Sequence, residues 1–92
     1  MGALKPLQAK TARYDAMRDA VVIDRRDAEV VIVRSALSDW FGKPVHEAAA
    51  VSRALSIEPT IRRAANAVQP DDGTITITSR LLAATREIED AD

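Results

Sequence analysis

Ninety-two residues with a formal net charge of −1 at neutral pH make one domain over 1–92, with room for one modest hydrophobic core. There is no Cys, which excludes disulfides and thiolate chemistry and fits a reducing, cytoplasmic setting. No segment approaches the roughly 20 apolar residues that would span a bilayer, and MGALKPLQAK lacks the apolar run of a secretory signal, so no membrane partner is expected.

In chain order, Pro6 suits the first position of a helix, where its missing N–H costs nothing. Leu7, Tyr14, Val21 and Ala28 then recur every seven residues, as do Ala16, Ile23, Val30 and Leu37. Both lines pass through the Asp24-Arg25-Arg26-Asp27 cluster, so a helix over 7–41 is the preferred reading, with a break near Asp24. Within it, Asp27 is the N-cap of the densest apolar run, and Val30, Val33, Leu37, Trp40 and Phe41 share one helical face. Gly42 ends the run in a left-handed conformation, with Pro44 beyond it. The competing reading is a β-hairpin at 20–33, with Val21-Val22-Ile23 and Val30-Val31-Ile32-Val33 as strands. Its β-branched residues favour it, but its DRRDAE loop has no Gly, Asn or Pro to set the turn.

From Val45 a short helix puts Val45, Ala48, Val51 and Leu55 on one face. Pro59 opens the next helix, in which Ile61, Ala64, Ala65 and Val68 form the apolar stripe and Glu58 pairs with Arg62. Gln69-Pro70-Asp71-Asp72-Gly73 is a turn, and Thr74 to Thr78 alternates with period two as a strand. Ser79 caps a last helix with Leu81, Ala84 or Thr85, and Ile88 inward, and its acidic end is expected to fray. The expected fold class is therefore mainly α: four to five helices, one short strand near 74–78, and the hairpin at 20–33 as the alternative.

Sites for chemistry are sparse. His46 is the only His and has no nominated nucleophile or orienting carboxylate beyond Glu47, so it reads as a solvent-facing or capping residue. One His without Cys makes no zinc site, and Asp71-Asp72-Gly73 lacks the further ligands of a calcium loop. Three scattered glycines form no phosphate cradle. No enzyme, metal or cofactor is expected.

Charge is uneven along the chain: residues 43–70 carry +2 and residues 71–92 carry −4. The basic middle holds AAAVSRALSIEPTIRRAANA at 48–67, two short helices joined by a tight connection. The segment Thr60-Ile61-Arg62-Arg63-Ala64-Ala65-Asn66 resembles the recognition helix of LacI-type repressors, where Thr-Val-x-Arg-x-x-Asn is a familiar pattern. That resemblance implies a helix-turn-helix regulator in which Ala50, Val51 and Ala54 pack against Ile61 and Ala64. The helix at 59–68 would then read DNA through Thr60, Arg62, Arg63 and Asn66, with Arg suited to guanine or phosphate and Asn to adenine. Leu55 stands where the family favours Gly, and Ser56 where it favours an apolar residue. Nucleic acid remains the lesser expectation, because phosphate contacts need clustered Lys and Arg and the whole chain is mildly acidic.

The leading expectation is a non-enzymatic protein-protein interaction or assembly module, oligomeric with itself or part of a larger complex. Residues 20–41 hold more large apolar side chains than one helix face can use, leaving Val22, Val31, Val33, Trp40 and Phe41 as interface candidates.

Overall fold

The computed structural model describes residues 12–25 and 28–90, with side chains as far as Glu87. Three strands open the described chain: β1 Ala12–Asp15, β2 Ala20–Asp24 and β3 Glu29–Val33. Three helices follow, α1 Arg34–Phe41, α2 Glu47–Ser56 and α3 Glu58–Asn66, and then β4 Thr74–Ile77 and α4 Ser79–Asp90. The sheet runs β1-β2-β3-β4, antiparallel at its first two pairings and parallel at β3–β4. The expected mainly α fold with one short strand is thereby corrected: this is an α/β fold, a four-stranded mixed sheet with four described helices.

Where a helix was expected over 7–41, the described residues from Ala12 form three strands joined by two hairpin loops and then an eight-residue helix beginning at Arg34. The seven-residue recurrence has a β explanation. Tyr14 stands opposite Val21 across the first hairpin, and Ile23 opposite Val30 across the second. Two strands joined by a four-residue connection put the second cross-strand pair from the loop seven apart, the spacing a coiled coil uses for every two turns. The alternative hairpin at 20–33 is the observed one, built from AVVID and EVVIV. β-branched residues fill both faces of a pleated sheet well and crowd a helix.

In the β1–β2 loop, which also lacks Gly, Asn and Pro, aspartates supply the turn chemistry. The Asp15 carboxylate accepts hydrogen bonds from the N–H of Met17 (3.0 Å) and of Arg18 (3.3 Å), closing the β1–β2 loop. Asp19 ends that loop at φ 51°, a left-handed conformation that Asp tolerates better than most side chains. In the second loop the Arg25 N–H donates to the Ala28 carbonyl at 2.8 Å.

The face of the sheet under the helices carries Val21, Val30, Ile32, Ile75 and Ile77. These pack with Ala36 and Leu37 of α1, Ala50 and Ala54 of α2, Ile61, Ala64 and Ala65 of α3, and Leu82 of α4. On α2 the buried positions are Ala50 and Ala54, one residue around the helix from the expected Val51 and Leu55; Ala48 is exposed and Val45 is buried just ahead of the helix. The expected stripe from Val30 to Phe41 divides between a strand and a helix, with Leu37 buried and Trp40 and Phe41 half-buried against the core.

Helix ends follow the expected chemistry in part. Gly42 takes φ 73°, and the N–H groups of Gly42 and Lys43 both reach the Ser38 carbonyl, at 2.9 and 3.1 Å, closing α1. The cap of α4 is Thr78, not Ser79: its Oγ1 accepts from the Leu81 N–H at 3.3 Å. Asp72 (φ 58°) and Gly73 (φ 80°) are the two centres of a tight reverse turn closed by Asp71 and Thr74. The expectations placed on Pro6, Leu7, Asp27 and the side chain of Ile88 lie outside the described residues.

Candidate functional site

The five interface candidates do not form one surface. Val22 and Val31 face each other across β2–β3 on the side of the sheet away from the helices, with Val33 half-buried beside them. Within this chain Val22 is 0% and Val31 4% exposed, so neither is open to a partner. A chain of ion pairs accompanies them on this face. Arg13, opposite Val22, reaches Asp24 (3.0 Å) and Glu29 (3.5 Å), while Arg18 reaches Glu29 (3.0 Å) and Asp15 (3.1 Å). The Glu29 carboxylate beside Arg18 raises the arginine's pKa further above its already high ordinary value.

Trp40 and Phe41 lie elsewhere, at the C-terminal end of α1, and each has a guanidinium over its ring. Arg86 of α4 stands 3.8 Å from the Trp40 ring centroid, and Arg53 of α2 stands 5.2 Å from that of Phe41. Ser79 Oγ donates to Asp39 at 2.5 Å, joining α1 to the start of α4 beside the same tryptophan.

A second polar cluster ties the first hairpin to α1. Arg34 donates through Nε to Asp19 Oδ1 (2.6 Å), through Nη2 to Asp19 Oδ2 (3.1 Å), and through Nη1 to the Val45 carbonyl (2.9 Å). The Tyr14 hydroxyl donates to the same Asp19 carboxylate. Hydrogen bonds from Arg34 first, and from Tyr14 second, hold the Asp19 carboxyl below its ordinary pKa. The Tyr14 hydroxyl is pushed up, chiefly by donating to Asp19 and then by desolvation. This cluster links the first hairpin to α1 and to the segment that enters α2.

A concave surface lies at the other end of the sheet, between the β2–β3 end and α3. It is a cleft of about 180 Å³ lined by Ile23, Val30, Ile61 and Ala65, with Asp24, Arg25, Glu58, Arg62 and Asn66 around them. Two contacts set its rim: Arg62 Nη2 to Glu58 Oε1 at 3.1 Å, the expected one-turn pair, and Arg25 Nη2 to Asn66 Oδ1 at 3.3 Å. α3 can present these residues because Ile61, Ala64 and Ala65 take up its inward side.

The four candidate DNA-reading residues stand on this helix. Arg62, Arg63 and Asn66 are exposed and Thr60 is half-buried. With Pro59, the first three line a shallow groove on the outer side of α3. Only Ile57 separates α2 from α3, whereas a helix-turn-helix uses a turn of roughly three or four residues. β4 is an edge strand of the sheet, paired parallel with β3. Residues 23–25, which complete the cleft, carry no sequence signal of that role: Arg25 meets Asn66 across 41 positions of chain. His46 is exposed ahead of α2. Among the described residues no three His, Asp or Glu side chains are grouped to hold a metal ion, and no helix is long and apolar enough to cross a membrane.

The site and fold define an α/β domain with its described helices packed on one side of a mixed sheet and a cleft at one sheet end. Comparison of the chain with protein-family models, with curated proteins and with solved structures finds no match. The likeness of residues 48–67 to the LacI-type motif therefore stands on those residues alone.

Proposed function

We propose that this chain is a non-enzymatic protein-protein interaction or assembly module of the cytoplasm, which docks a protein segment in the cleft beside α3. The observation that carries this reading is the make-up of the cleft: half-buried Ile23 at its opening over a buried apolar floor of Val30, Ile61 and Ala65, inside a rim of charged and amide side chains. That is the anatomy of a protein interface, with an apolar centre and a polar, hydrogen-bonding edge. At about 180 Å³ the cleft is smaller than the ~300 Å³ and upward typical of small-molecule sites, and it suits one anchoring side chain. The partner is another protein or a second copy of the chain, with no cofactor.

A photo-reactive residue at position 66 tests this in cells, with one at Ser52, exposed on α2, as the control. Discrete protein adducts from position 66 and not from position 52, lost when Arg62→Glu is added, support the reading. Equal or absent adducts overturn it.

A second reading, recognition of duplex DNA by α3, rests on the groove that gathers Pro59, Arg62, Arg63 and Asn66. The Glu58 carboxylate on Arg62 and the formal charge of −1 weigh against it, since phosphate affinity comes from clustered cations. Under this reading the protein binds mixed-sequence duplex in a salt-sensitive way, and Arg62→Ala with Arg63→Ala abolishes binding while the far-ultraviolet circular dichroism is unchanged. Failure to bind duplex at low salt rules the reading out.

A further inference from the structure

The sheet order leaves β1 at an edge, and among the described residues no strand pairs with its outer side. An edge strand offers unpaired N–H and C=O groups to any strand that can lie beside it. The opposite edge is blunted. On β4 the Thr74 N–H and C=O are both bonded to Asp71, and the Thr78 carbonyl just beyond it accepts from Leu82. β1, reading Ala12-Arg13-Tyr14-Asp15, carries no Pro or Gly, and in the loop that follows it Met17 is a large apolar side chain 97% exposed.

We infer that β1 docks a second copy of this chain, pairing antiparallel with its counterpart about a two-fold axis at Tyr14. The argument is one of register. A two-fold axis perpendicular to the sheet keeps the two faces apart, so that residues facing away from the helices meet residues facing the same way. Registers therefore change in steps of two. Arg13 and Asp15 share the face of Val22 and Ala20, whereas Ala12 and Tyr14 share that of Ile23 and Val21. Three registers overlap the strands well. One sets Arg13 against the partner's Arg13, and another sets Asp15 against the partner's Asp15; like charges directly opposite are destabilising. The third centres on Tyr14 and sets Arg13 against the partner's Asp15 and Asp15 against the partner's Arg13. The strand is complementary to itself in that register alone. Such pairing is isologous and consumes the edge, so assembly stops at two and makes one eight-stranded sheet. The inference shares with the proposed function only its class, a protein-interaction module, and uses a different surface from the cleft beside α3.

The test is solution mass by light scattering and sedimentation over a wide concentration range, at low and moderate salt. Wild type is compared with Arg13→Asp, Asp15→Arg, the double exchange, and Arg62→Glu. Expected are a dimer that weakens with salt, a loss of roughly tenfold or more in association for either single reversal, and recovery in the double exchange. Arg62→Glu should leave the dimer intact. A wild-type monomer at the highest concentration overturns the inference, as does a dimer indifferent to the reversals or one that the double exchange does not restore. A dimer lost with Arg62→Glu alone also overturns it while leaving the cleft reading standing; an intact β1 dimer with no adducts at position 66 does the reverse. Because Arg13 and Asp15 also pair within the chain, a second readout uses wild type alone. Amide hydrogen exchange in β1 should slow as concentration rises, and protection independent of concentration overturns the pairing.

Discussion

Asp19 holds Arg34 at three points: its two carboxylate oxygens accept from Nε and Nη2, and its backbone carbonyl accepts from the Arg34 N–H at 2.9 Å. The last residue of the first loop is thereby fastened to the first residue of α1. Arg34 passes the constraint on through the Val45 carbonyl to the segment that enters α2.

Acid should release this clamp. The Asp19 carboxyl is held below its ordinary pKa, so its contribution is complete above about pH 4 and is lost as pH falls through the lowered folded value. Thermal melts between neutral and strongly acidic pH should show a decline that Arg34→Gln reduces. Equal acid dependence in the two proteins would remove Asp19 as its source. The Tyr14 hydroxyl acts in the opposite direction, because its pKa is raised: its contribution is present below about pH 10 and is lost as pH rises through the folded value. Tyr14→Phe should flatten the alkaline limb.

Leu37→Ala should cost about 2–5 kcal/mol in chemical unfolding, because Leu37 is fully buried where α1 meets the sheet. Trp40→Ala should fall at the lower end, about 3 kcal/mol, since its ring is only half-buried and is covered on one face by Arg86. A near-neutral Leu37→Ala would contradict the packing described here.

Thr78→Ala should cost about 1 kcal/mol through loss of the cap on α4, whereas Ser79→Ala should cost less, since Ser79 binds Asp39 and caps nothing. Equilibrium unfolding of the two variants separates the roles, and the reverse order would return the cap to Ser79.

Gly73→Ala should cost about 1–2 kcal/mol although no atom lies within 4 Å of the added methyl group. The cost is that of forcing an L-residue to φ 80°, and Gly73→Asn, which tolerates that region, should recover part of it. Calorimetry of the pair distinguishes backbone strain from a steric clash.

The second half of the fold was legible in the sequence and the first half was not, for a physical reason. From residue 47 onward, Pro59, the Asp72-Gly73 turn and the alternating Thr74–Ile77 each carry a signal of a specific backbone state, and the elements fall where those signals put them. In the first half one step of each heptad line coincides with a cross-strand pair. Tyr14 with Val21, and Ile23 with Val30, satisfy either geometry. What distinguished them was the preference of Val and Ile for pleated structure, together with Asp15 and Asp19, which turn the first hairpin without Gly. Of the candidate site, Arg62, Arg63 and Asn66 were legible as an exposed helix face. The floor from Ile23 and Val30, and the contact from Arg25, depend on how β2 and β3 meet α3, which no local pattern encodes. Val22 and Val31 were legible as surplus apolar residues, but a sheet has two sides to bury where a helix has one.

The parallel pairing of β3 with β4 has a consequence for the order in which the molecule is made. β1, β2 and β3 are complete once residue 33 has emerged from the ribosome, yet β3 gains its second neighbour only with Thr74–Ile77. Throughout synthesis of residues 34–73 the nascent chain carries a valine-rich strand with one side unsealed, and closing it requires a contact between residues far apart in sequence. A chain halted before Gly73 keeps that strand open, so truncation anywhere in the three helices yields a product prone to self-adhesion rather than a smaller folded unit.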